Sequence, residues 1–250
     1  MLDTILGEIS ACETEKDVRI LLAVESGSRC WGFESENSDW DVRFVYLHPK
    51  NWYLRLEDTK DTIDWRIDDE LDIVGWDLGK FLKLMRRSNP SCFEWLGSPI
   101  VYREESCFEM VREVSKRCFN PISSAYHYYG MGKKHDERYI RNGLQTPKHY
   151  LYTVRSILAC KWSIERQEPV PMLFSELQET VLEPEMQEIV SELVVTKKNG
   201  LEKASCDPIL ELDEWILTSN ESLKAKIGSL SATEQVPWQE LDDIFIDMLG

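Results

Sequence analysis

The stretch from Val24 to Leu47, VESGSRCWGFESENSDWDVRFVYL, decides the fold. Its first residues close an apolar, partly β-branched run, Arg19 to Ser26, that reads as a buried strand. Gly27 and Ser28 follow at once, then a small apolar segment (Cys30, Trp31, Gly32, Phe33), a polar loop, and a second strand from Trp40 to Leu47 that Pro49 ends. Asp39 and Asp41 stand two apart at the head of that second strand, a spacing that puts both carboxylates on one face. Like charges side by side are costly unless a cation lies between them. Magnesium fits that need, because it takes oxygen ligands and is commonly held by one or two carboxylates plus substrate phosphates. Gly27 lets backbone approach a phosphate closely, and the Ser28 hydroxyl and amide, opening a short helix, can donate to it. Taken singly, an Asp-x-Asp pair also suits a solvated edge and a Gly-Ser pair a plain turn. Their order, spacing and strand context together favour a site.

Outward from this core, residues 1–17 read as a helix with Leu2, Ile5, Leu6 and Ile9 on one side. Downstream, TIDWRI (62–67) and ELDIVGW (70–76) read as extended segments. DLGKFLKLMRRS (77–88) has the period of an amphipathic helix with Asp77 as N-cap. The Ser88-Asn89-Pro90 turn separates it from a helix over SCFEWLGS, and PIVY at 99–102 reads as a short strand. Segments 104–118, 147–167, 183–198 and 207–228 all show helical spacing, with Thr146-Pro147 as N-cap and N1 of the second. The expected architecture is α+β, with an α/β domain over residues 1–103 and an all-helical domain over 104–250.

The chain has 250 residues, 42% of them apolar and 30% charged, with 12 Gly and 10 Pro, a composition that excludes disordered and fibrous classes. No apolar run approaches the roughly 20 residues a membrane span needs, and no basic leader with an apolar core opens the sequence. Seven cysteines, without a Cys-x-x-Cys pair or a His at ligand spacing, suit reduced thiols and a cytoplasmic setting. The net charge of −16 argues against a generic nucleic-acid coat. Within it, residues 130–166 carry eight basic and three acidic side chains, a local +5 that suits either a phosphate site or a solvated helix face.

The run from Val24 to Leu47 resembles the nucleotidyltransferase signature of the DNA polymerase beta superfamily. Its continuation, LDIVGWDLGKFLKLMRRSNPSCFEWLGSPIVY, is similar to the bacterial and phage predicted nucleotidyltransferases of the RNA repair pathway polymerase beta family. KHYLYTVRSILACKW (148–162) resembles that family's helical region more loosely. The resemblance implies a mixed β-sheet carrying a Mg2+ or Mn2+ site in a catalytic domain over residues 1–103, with the helical domain over 104–250 helping to bind nucleotide and acceptor. It further implies an NTP donor, ATP first, and transfer of a nucleoside monophosphate with loss of pyrophosphate. It also implies a third carboxylate on a neighbouring strand. Asp64, Asp72 and Asp77 all sit between apolar neighbours. Asp77 suits a helix cap and Asp64 a pairing with Arg66, so Asp72 is the choice, making Asp39, Asp41 and Asp72 the expected catalytic and metal-holding set. A third acid could also accept the proton of the attacking hydroxyl.

Lys148, Tyr152 and Arg155 fall on one stripe of the helix opened by Pro147 and are candidates to clamp the triphosphate, with Gly27, Ser28 and Arg29 as further nucleotide contacts. Lys133 and Lys134 are candidates to meet the acceptor, and Trp31 or Trp40 to stack on a base. All the cations have a bland alternative as surface charges, and the four histidines, lacking ligand spacing, receive no role. An RNA or tRNA end is the first acceptor. AMP transfer to a protein or small molecule is the enzymatic alternative, and a non-catalytic NTP-binding module is the alternative from another class. No membrane partner is expected.

Overall fold

The computed structural model describes residues 1–68, 70–201, 204–231 and 234–250. Packing divides them into two compact units, Met1–Cys30 with Asp39–Phe119 and Glu234–Gly250, and Trp31–Ser38 with Asn120–Thr233.

The first unit opens with helix α1 (Leu2–Lys16), whose Ile5, Ile9 and Cys12 recur at helical spacing and are buried; Asp17, in the left-handed conformation, ends it. Strand β1 (Arg19–Ser26) runs into the one-turn helix α2 (Gly27–Trp31). Then come β2 (Trp40–Leu47), β3 (Thr62–Ile67), β4 (Leu71–Asp77), helices α3 (Leu78–Arg86) and α4 (Pro90–Leu96), and β5 (Val101–Glu104). The strands form one mixed sheet in the order β3-β4-β2-β1-β5, antiparallel except for the β2–β4 pair. Because side chains alternate across a strand, the central strands β1 and β2 feed two cores. Ile20, Ala23, Val42, Phe44, Tyr46 and Ile73 pack with the buried side of α1. Leu22, Val24, Val45 and Leu47 pack on the other face with Phe81 and Met85 of α3, Val111 and Val114 of α5 (Glu109–Cys118), and Leu241 and Met248.

The second unit is helical: α6 (Pro121–His135), α7 (Pro147–Glu165), α8 (Phe174–Val181), α9 (Gln187–Thr196) and α10 (Leu210–Ile227). Helix α7 is its axis, buried on all sides from Thr153 to Ser163, as expected of a helix surrounded by others. The last helix, α11 (Trp238–Leu249), belongs to the first unit, where Arg86 lies 4.1 Å over the Trp238 ring and its Nε donates to the Val236 carbonyl at 2.8 Å. Among the described residues no helix is long and apolar enough to cross a membrane. The seven cysteines are free thiols, and burial raises that of Cys12 to about 12.

A mixed sheet with helices followed by a largely helical half is the architecture read from the sequence. Asp77 caps α3 through the Gly79 amide and Thr146 caps α7 through the His149 amide, as the sequence suggests. The segmentation at residue 103 follows the last strand, whereas packing places α5 and α11 with the sheet, because their apolar faces complete the core over β1 and β2. Helices α6, α8 and α11 lie outside the segments that spacing picks out. Helix α6 carries two glycines and no clean apolar stripe, so what makes it a helix is the Asn120 cap, Pro121 at its first turn and close packing on α7. A Cβ on Gly132 would lie 3.1 Å from that of Ser156.

Gly75 is a packing requirement of the sheet. It pairs with Phe44 across β2 and β4, and a Cβ there would fall 2.1 Å from the Phe44 ring. Gly75→Ala should therefore destabilise the protein by about 1–3 kcal/mol, the usual cost of overpacking. Phe44→Leu in the same chain should recover part of it. Urea denaturation of the single and double variants measures both, and strictly additive losses would remove the steric explanation.

Candidate active site

The site grows from the end of β1. Gly27 has φ of +66°, a conformation that disfavours residues with a side chain. It is also held against an acid: a Cβ at Gly27 would stand 2.2 Å from Oδ2 of Asp41. Two independent demands thus meet at one glycine. In register, Asp41 faces Ser26 of β1 on one side and Asp72 of β4 on the other. The parallel β2–β4 pairing therefore sets Asp41 and Asp72 side by side. Arg43, two residues on and on the same strand face, joins them, its Nη2 donating to Oδ1 of Asp41 at 3.1 Å and to Oδ2 of Asp72 at 2.8 Å. Its Nη1 donates to the backbone carbonyls of Asp72 at 2.9 Å and Val42 at 3.0 Å.

The other expected residues fall as follows. Ser28 is buried in the first turn of α2. Arg29 lies 3.8 Å over the Trp40 ring, and its Nε donates to the Asp39 carbonyl at 3.2 Å, so it ties α2 to the head of β2. Asp39 is exposed and precedes β2, which begins at Trp40. Asp64 is exposed on β3. Asp77 is buried and occupied as a cap, accepting from Gly79 N at 2.8 Å and from the Tyr53 hydroxyl at 2.5 Å.

In the second unit, the stripe on α7 forms a cation–aromatic row with Trp31. Lys148 Nζ is 5.7 Å from the Tyr152 ring, Tyr152 meets Trp31 edge to face at 5.0 Å, and Arg155 lies 4.1 Å over Trp31. Arg155 is only 3% exposed. Lys161 is likewise buried, paired with Glu183 and 4.8 Å over Trp215, so the basic island is only partly a solvated face. Lys133 and Lys134 are its exposed part. Of the histidines, His149 stacks on Tyr139 at 3.9 Å, and burial with the neighbouring His149 lowers His135 to about 4.

Two residues that the sequence motif does not mark complete the site. Arg43 is one. Glu25 is the other, fully buried, its Oε1 accepting from the Asp41 amide at 2.9 Å and its Oε2 from the Tyr102 hydroxyl at 2.5 Å. Burial holds the Glu25 carboxyl above the usual carboxylate range, against the opposing pull of those two hydrogen bonds.

Asp41 and Asp72 fit a divalent cation on two observations. Oδ1 of Asp72 is shut off from solvent without a hydrogen-bond partner, and the in-register pairing of β2 with β4 sets the two carboxylates side by side. Among the described residues no group of three His, Cys, Asp or Glu side chains is close enough to hold a metal ion, so Asp39 does not make a three-acid cluster with the other two. Magnesium needs only one or two carboxylates where phosphate oxygens and water complete its shell.

The raised Glu25 carboxyl has a pH consequence. The folded state holds that proton more tightly than the unfolded one, so native stability falls as pH rises from the ordinary value of 4.5 through the folded one. Glu25→Gln removes this titration. The stability of the variant relative to the native protein should therefore climb with pH across that window and then level off. Thermal melts of both proteins from pH 4 upward check this, and a flat difference would contradict it.

Residues 1–247 match the RNA repair pathway DNA polymerase beta family, RlaP. YcgL of Bacillus subtilis strain 168, an uncharacterized protein, is 37% identical over 249 residues, which cover 99% of this chain and 96% of that one. A nucleotidyltransferase-like protein from Exiguobacterium sibiricum 255-15, solved by crystallography, is 11% identical, with 90% of this chain and 75% of that one covered at a TM-score of 0.28, too low to bear on the fold. Matched along nearly its whole length, the chain belongs to the RNA repair pathway DNA polymerase beta family and is a nucleotidyltransferase-like protein.

Proposed function

We propose that the protein is a magnesium- or manganese-dependent nucleotidyltransferase. It moves a nucleoside monophosphate from an NTP, ATP first, to an acceptor hydroxyl with release of pyrophosphate. The observation that carries this reading is the in-register pairing of Asp41 with Asp72 beside the glycine that backs Asp41. In the reaction the acceptor oxygen bonds to the α-phosphorus, the bond from that phosphorus to the β-phosphate oxygen breaks, and pyrophosphate leaves. Such transfers depend chiefly on in-line positioning and on neutralised charge. A metal ion held by Asp41 and Asp72 would supply part of that neutralisation, with Asp39 as a further acid at its edge. Asp72 accepts the hydroxyl proton through its unpartnered oxygen. Backbone at Gly27 and Ser28 approaches the phosphates.

Arg29 orders the segment leading to Asp41 in addition to facing the nucleotide. Lys148, half-buried in the first turn of α7, is the member of its stripe open to an anion, with Tyr152 and Arg155 behind it. Lys133 and Lys134, exposed, meet an RNA or tRNA end. The net charge of −16 favours a second acceptor class, a protein or small molecule receiving AMP.

Incubation with α-labelled NTPs, magnesium and, separately, RNA, total protein or small-molecule acceptors tests the reading. Label should pass to one acceptor class, and Asp41→Ala and Asp72→Asn should each lower transfer by orders of magnitude while the circular dichroism spectrum is kept. Calorimetry adds a second arm: the triphosphate and the aspartates repel until a cation bridges them, so EDTA should weaken NTP binding strongly. Equal affinity with and without EDTA, or full transfer by the Asp41 variant, would sink the proposal. NTP binding without transfer to any acceptor would leave only a nucleotide-sensing module.

A further inference from the structure

The carboxylate pair already has a cation of its own. The Arg43 guanidinium contacts one oxygen of each acid, Oδ1 of Asp41 and Oδ2 of Asp72, and two backbone carbonyls anchor its other nitrogen. The arrangement is half-buried, with the Arg43 side chain 20% exposed and each aspartate side chain 30%. A different oxygen, Oδ1 of Asp72, is left without a hydrogen-bond partner. The guanidinium thus spans the pair while one acceptor of Asp72 stays unpaired.

We infer that Arg43 is a built-in counter-ion that sets how tightly the site takes a divalent cation. It holds Asp41 and Asp72 in register before the metal arrives, and it weakens metal binding until nucleotide is present. This rests on the reading of Asp41 and Asp72 as the cation-holding pair. The physical basis is charge. Two carboxylates on neighbouring strands repel, and a partner shared by forked hydrogen bonds removes that repulsion without a metal. The same partner halves the net negative charge that a divalent ion meets and stands a few ångströms from it. A triphosphate brings negative charge of its own, offsets the guanidinium and restores the attraction. Metal and NTP therefore load together, and Arg43 is a positioning residue that acts through the two acids.

Manganese binding to the full chain, followed by the paramagnetic signal of the free ion, tests this without any turnover. The native protein, Arg43→Gln and Arg43→Lys are titrated with Mn2+ alone and then with a non-hydrolysable ATP analogue. Without nucleotide, Arg43→Gln should bind Mn2+ at least about tenfold more tightly than the native protein, since a unit charge close to a divalent ion has been removed. Arg43→Lys should lie between them, because it keeps the charge but loses the fork. The analogue should tighten Mn2+ binding more in the native protein than in Arg43→Gln. Binding by Arg43→Gln equal to or weaker than native overturns the inference and leaves the metal site standing, because that is what a purely structural arginine would give. If Arg43→Gln fails to fold, equal or weaker binding by Arg43→Lys overturns it in the same way. Absence of Mn2+ binding in all three proteins, with and without the analogue, overturns the metal site and the role of Arg43 together.

Discussion

Two like charges held side by side by strand register are the constraint on which the rest of the site depends. The parallel pairing of β2 and β4 sets Asp41 opposite Asp72, and nothing in a β-ladder relieves the repulsion that follows. One neighbour relieves it and two more hold Asp41 in place. Arg43 spans the pair with its guanidinium, Glu25 grips the Asp41 amide from β1, and Gly27 leaves the space that the Asp41 carboxylate fills. Removing the bridging cation from such a half-buried triad leaves charge uncompensated, which is costlier than replacing the triad as a whole.

The sheet supplies both the register and the contrast between its acids. Strand β4 carries Asp72 at one end and Asp77 at the other. Asp77 is buried, capped into α3 and bonded to Tyr53, so its acceptors are taken. Asp72 shares one oxygen with Arg43 and has another unpartnered. Residue type is the same; the hydrogen-bond inventory separates a structural aspartate from one that can serve a ligand. Between them Gly75 lets the Phe44 ring lie across the strand, which keeps β2 and β4 in the pairing that the site requires.

Much of this was legible in the sequence. Apolar, partly β-branched runs mark the strands, Asp77 and Thr146 announce their caps, and three acids between apolar neighbours narrow the third carboxylate to a short choice. Asp39 stands one residue before β2, and the i, i+2 rule that relates it to Asp41 applies within the strand to Asp41 and Arg43, which meet there. An arginine inside an otherwise apolar strand reads as a solvated residue until its neighbour strand is known. Glu25 was hidden for a related reason: only the fold shows that Tyr102 and the Asp41 amide satisfy a fully buried carboxylate. Arg155 was legible as part of a helix stripe but not as a side chain enclosed against Trp31, since helical spacing gives direction and not depth. Helix α6 escaped because a cap, a proline and a glycine contact with α7 make it, and hydrophobic period does not.

The most direct measurement is the anomalous scattering of manganese in crystals grown with Mn2+ and a non-hydrolysable ATP analogue. A peak coordinated by both Asp41 and Asp72, with phosphate oxygens in the same shell, is the predicted result. A manganese ion bound elsewhere, with Arg43 still bridging an unliganded pair beside bound nucleotide, would contradict it.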